Sequence, residues 1–148
     1  MSTRAFILIL CVLAAACDKG RGNGPTGPLA AVSGRWQVTA WEIVSVDDPS
    51  VRTDLIVGGR TATLRIRNDG TFTLVVRDPG AGRAEENGML VLLEEGLLLL
   101  DGESDEVVYA YTQSGGVFVL QATEPELVDL DGDGTPESTV ATITLQLL

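Results

Sequence analysis

The chain has 148 residues, with 21 acidic side chains against 10 basic ones, no histidine, two cysteines and a formal net charge of −11. That length holds one domain with a single core, and without histidine or a Gly-x-Ser-x-Gly elbow the common nucleophile and base sets are missing. So acidic a balance is expected to repel nucleic acid and anionic headgroups and to offer no basic stripe for either.

Residues 1–16, "MSTRAFILILCVLAAA", place one arginine before an apolar run from Ala5 to Leu13 and then small residues. This is the layout of a secretory signal peptide, and the run is shorter than the roughly 20 residues that a spanning helix needs. The stretch "LAAAC", ending at Cys17, resembles the lipobox of bacterial lipoproteins. That resemblance implies cleavage before Cys17, acylation of Cys17 and a lipid anchor in the bacterial cell envelope, periplasm-facing or surface-exposed. Asp18, next in the chain, resembles the inner-membrane retention signal of enteric bacteria, and inner against outer membrane stays open. The alternative is an ordinary signal peptide cut near Ala16, with Cys17 left as a free thiol. Either way Cys11 leaves with the leader, so the mature chain holds no internal disulfide. Arg4 leaves too; nine basic residues then face 21 acidic ones, a net charge of −12.

Residues 17–31 form the cysteine and its linker. "DKGRGNGPTGPLA", residues 18–30, has no hydrophobic period and is rich in glycine and proline, which reads as a flexible tether placing the following domain about 20 Å from the lipid.

Residues 32–148 carry a period of two, with turn signals roughly every 8–12 residues. A first strand is predicted over Arg35–Val46. In "TATLRIRNDGTFTLVVRD" Leu64 and Ile66 alternate with Arg65 and Arg67, Asn68-Asp69-Gly70 turns, and Phe72, Leu74 and Val76 resume the alternation. "MLVLLEEGLLLLDG" turns at Glu94-Glu95-Gly96, "DEVVYAYTQSGGVFVLQAT" turns at Ser114-Gly115-Gly116, and a last strand covers Thr139–Leu147. About eight sequential strands on tight turns predict an all-β, up-and-down antiparallel barrel, which removes the exposed edges; a two-sheet sandwich is the alternative. Met89–Leu100 is apolar on both faces, so its outer side is either a contact surface or covered by the Pro49–Gly59 loop.

"SGRWQVTAWE", with Gly34 and Trp36, resembles the Gly-x-Trp opening of lipocalin-like domains, and the "DGTF" hairpin and late "DLDGDGTPE" are similar to those of small lipocalin-like domains of bacterial lipoproteins. The resemblance implies a barrel closed at one end by Trp36 and open at the other on an apolar cavity. Leu64, Ile66, Phe72, Leu74, Val76, Tyr109 and Tyr111 would then face the interior, lining a small apolar ligand or filling the core.

"DLDGDGTPE" has the most chemistry to offer. Asp129, Asp131 and Asp133 occupy positions 1, 3 and 5 of a calcium loop, Gly134 supplies the sharp turn and Thr135 a backbone carbonyl at position 7. Position 12 is Val140, so Glu137, at position 9, would close the site. Hard oxygen donors suit Ca²⁺; alternatively Asp and Gly serve only as turn formers. The other acidic pairs, Glu85-Glu86, Glu94-Glu95 and Asp105-Glu106, read as solvated charge at turns and strand ends. No enzymatic activity is expected. Two functions remain: a membrane-anchored binder of a small apolar ligand, or a structural or protein-interaction lipoprotein of the envelope with a filled barrel and an envelope protein as partner.

Overall fold

The computed structural model describes residues 27–94 and 96–148; the leader and Cys17 lie outside them. Among the described residues the chain forms ten strands: β1 (Gly34–Ser45), β2 (Arg52–Asp54), β3 (Thr61–Ile66), β4 (Thr71–Asp78), β5 (Gly82–Glu94), β6 (Leu97–Gly102), β7 (Glu106–Ser114), β8 (Val117–Ala122), β9 (Glu126–Val128) and β10 (Glu137–Leu147). Eight of them pair antiparallel with their neighbours in the order β1-β3-β4-β5-β6-β7-β8-β10. Pairing of β10 with β1, from Trp36 opposite Leu147 to Ser45 opposite Thr139, closes the sheet. The fold is an eight-stranded up-and-down antiparallel barrel, and this closing ladder excludes the sandwich.

The two short strands do not enter the ring. Strand β2 pairs with Glu42–Val44 on the side of β1 whose lower half holds β3. Strand β9 likewise pairs with Glu137–Thr139 on the side of β10 that β8 holds lower down. Both extend the wall at one end, here called the upper end. With three residues each, they leave too weak an alternation to be read from sequence. Because β2 is tied to β1, the Pro49–Gly59 segment does not cover the outer side of β5 and β6. Met89, Val91 and Leu93 remain 41%, 42% and 50% exposed. The reading in which that loop covers this stretch is thereby set aside, and the outer side of β5 is open to solvent.

The lower end is sealed. A 3-10 turn at Pro28–Ala31 precedes β1 and is held by amides of Val32 and Ser33 donating to the Leu29 carbonyl. Leu29 packs on the core, and Val32 is 1% exposed. Trp36, fully buried, donates its indole N–H to the Val32 carbonyl at 2.9 Å, so the one polar atom of the ring is satisfied where water cannot reach it. Phe118 lies 5.2 Å from Trp36 between ring centroids, and Tyr111 meets Phe118 edge-on at 5.9 Å. Each large side chain buried here stabilises by roughly 1.5–3 kcal/mol.

A β-bulge sets what fills the upper half. The β1–β10 register slips between Val38 and Ala40, so Thr39 is the extra residue and the alternation inverts beyond it. Trp41 then faces Ile143, an inward position, rather than solvent, and it packs against the core. Gly88 is required by the opposite wall: a Cβ there would overlap the Asp101 carbonyl oxygen and lie 2.8 Å from the Phe72 ring.

Candidate functional site

The acidic loop, residues 129–136, joins β9 to β10, whose pairing of Val128 with Glu137 forms its base. Its aspartates fold it locally. Asp129 accepts from the amides of Gly132 and Gly134 at 2.8 and 3.0 Å, Asp131 from Asp133 at 3.0 Å, and Asp133 from Thr135 at 2.7 Å. Glu137, at the start of β10, accepts from the Leu130 amide at 2.7 Å. Gly132 and Gly134 hold φ of +76° and +89°, a region open to glycine at little cost. Both sequence readings therefore meet in one place: the residues do form turns, and one carboxylate oxygen from each of Asp129, Asp131, Asp133 and Glu137 comes within 4.8 Å of the others. Thr135 is tied in through its amide. In water each pair of charges at such separations repels by about 1 kcal/mol, so this exposed cluster could hold a metal ion.

The interior candidates sit on inward positions, but space between them is small. Trp36, Leu64, Ile66, Phe72 and Tyr109 are buried, and Leu74, Val76 and Tyr111 pack against that core. A pocket of about 140 Å³ opens at the upper mouth, among Trp41, Ile43, Val107, Tyr109, Ala122 and Ala141 and the rim residues Asp105, Glu124 and Glu126. It is well short of the roughly 300 Å³ of an ordinary ligand site. Burial pushes the Tyr109 phenol up to about 12, helped by the negative charges of Asp105, Glu126 and Glu86.

On the outside of the barrel the structure overturns one expectation. Arg35, Arg65, Arg67, Arg77 and Arg83 line a single groove of about 950 Å³ over β1, β3, β4 and β5. All five are exposed, so an acidic chain does carry a basic stripe. The alternation in "LRIR" already sent Arg65 and Arg67 outward. The register of the Asn68–Gly70 turn would have set Arg77 on the same face. What the sequence concealed was their convergence with Arg35 and Arg83. Arg60 stands apart, paired with Asp78, whose carboxyl is held below the usual range chiefly by the Arg60 hydrogen bond, with help from the Gly80 amide.

No family model matches this chain, and a search of curated proteins finds no match either.

Proposed function

We propose that this chain is a lipid-anchored, lipocalin-like lipoprotein of the bacterial cell envelope whose barrel is a filled scaffold, without enzymatic activity, and whose outer surface does the work. The observation that carries this reading is the packed interior: the residues that would line a ligand chamber pack on one another instead, and the pocket at the mouth is only about 140 Å³. The sealed lower end with Trp36 at its floor supports the lipocalin-like part of the reading, and the lipobox-like "LAAAC" supports acylation of Cys17. Within this reading the acidic loop takes Ca²⁺ as a structural ion that pins β9 to β10. Hard carboxylate oxygens, three of them in Asp-x-Asp-x-Asp spacing, suit that cation.

An apolar fluorescent probe tests the filled barrel. Titrated into the folded domain, it should give no saturable one-to-one binding and no energy transfer from Trp36 or Trp41. Stoichiometric binding would restore the alternative, a carrier of a small apolar ligand. Expression of the precursor with labelled fatty acid, beside Cys17→Ser, tests the anchor; equal label in both would remove it.

A further inference from the structure

The groove arginines are arranged at a cost to the fold. Arg35 stands directly opposite Arg65 across the β1–β3 ladder, and Arg77 opposite Arg83 across β4–β5. Like charges at facing positions destabilise a sheet. Among the described residues, only Arg83 of the five makes a salt bridge, to Glu85, while the Asp69 pKa is lowered chiefly by the Thr71 hydrogen bonds and to a lesser degree by the charge of nearby Arg67. Two opposed arginine pairs with so little neutralising charge call for an anion supplied from outside.

Three features say which kind. The groove's lower rim is Ser33 and Gly34, just after the Pro28–Ala31 turn through which the chain enters the barrel, so a lipid on Cys17 would keep this end near its bilayer. Beside the groove runs the uncovered apolar ridge of Met89, Val91 and Leu93; Met89 pairs with Thr71, whose hydroxyl receives a hydrogen bond from Arg67 at 3.3 Å. Finally, most of the acids lie away from the lower end, where Asp69 and Glu94 are the exceptions among the described residues. The upper end carries Asp47, Asp48 and Asp54 in one connection and Glu124, Glu126 and the acidic loop in another. From Gly34 to Ser45 the wall of β1 rises roughly 36 Å along the strand, several times the screening length of about 8 Å at physiological salt. The upper acids are therefore screened from Arg35, Arg65 and Arg67 at the lower rim, and less so from Arg77 and Arg83, which flank the upper β4–β5 turn.

We propose that the arginine groove and the Met89–Leu93 ridge together form a docking face for an anionic phospholipid surface, the guanidinium groups taking headgroup phosphates and the ridge entering the boundary beneath them. An acidic peptide would use the arginines but has no need of the ridge or of the linker's position, so the bilayer is the better fit. The proposal rests on the lipid-anchor reading only for why this rim faces a membrane.

The test uses residues 17–148 carrying Cys17→Ser, so that no acyl chain supplies attachment and the result stands apart from that of the labelling experiment. Cosedimentation with vesicles of equal parts phosphatidylglycerol and phosphatidylcholine should show binding that is absent on phosphatidylcholine alone. It should vanish near 1 M salt, where the screening length falls to about 3 Å. Arg65→Gln with Arg77→Gln removes one member of each opposed pair and should weaken binding about 25-fold, at roughly fivefold per arginine. A melting temperature no lower than that of the parent would show that the variant folds. Four outcomes would overturn the proposal: no vesicle binding, equal binding to neutral vesicles, unchanged binding in a folded double variant, or capture of polyglutamate in place of vesicles.

Discussion

Calcium should stabilise this barrel through a single loop, and Asp131→Ala should remove the effect. The four carboxylates converge within 4.8 Å, and exposed carboxylate sites of the kind found in extracellular modules bind calcium at roughly 10⁻⁴–10⁻³ M. At about 5 mM free Ca²⁺, mass action then adds roughly 1–2.5 kcal/mol to folding. For a barrel of this length that is a rise of about 4–9 °C in Tm. In chelator the Ala variant loses the 3.0 Å bond from the Asp133 amide, worth about 0.5–1.5 kcal/mol. It also loses three repulsions of about 1 kcal/mol each before screening, so its baseline should lie no lower than that of the parent. Calorimetry of both proteins in calcium and in chelator separates the loop's role as a turn from its role as a site, because each protein is compared with its own baseline. Magnesium should do less, since it demands a tighter octahedral shell. A parent that melts identically in calcium and in chelator, or a rise that survives in Asp131→Ala, would refute the metal site and leave a turn.

Gly88→Ala should destabilise the barrel by about 1–3 kcal/mol, the usual range for an overpacked wall, because the new methyl group overlaps the Asp101 carbonyl and crowds Phe72. A chemical-denaturation midpoint equal to that of the parent would contradict the packing described. Tyr109 makes the fold sensitive to alkali. Its folded pKa near 12 exceeds the ordinary value of 10.0, so the protonated phenol's contribution is fully present below pH 10 and is lost as pH rises from there through 12. That loss should amount to roughly 2–3 kcal/mol, and Tyr109→Phe should flatten it. A parallel decline in the variant over that window would assign the alkaline sensitivity to another group.

The elements that could be read from the chain are those whose cause is local. A hairpin such as Thr61–Asp78 needs only alternation and a turn whose third residue, Gly70, can hold φ of +86°. The aspartates of residues 129–133 likewise fold their own loop through bonds to amides two to five residues away. With eight such strands in sequence and few long connections, closure into a barrel followed from the need to remove edges. Three properties depended on the assembled sheet. The bulge at Thr39 turns Trp41 inward only because β10 fixes the register on the far side of β1. Whether the barrel holds a chamber is a sum over side chains from every wall, and no stretch of chain carries that sum. The arginine groove unites residues from positions 35 to 83 on four strands. A net charge averages over the molecule, whereas a partner meets the field of one face, and the closed ladder alone determines which charges share that face.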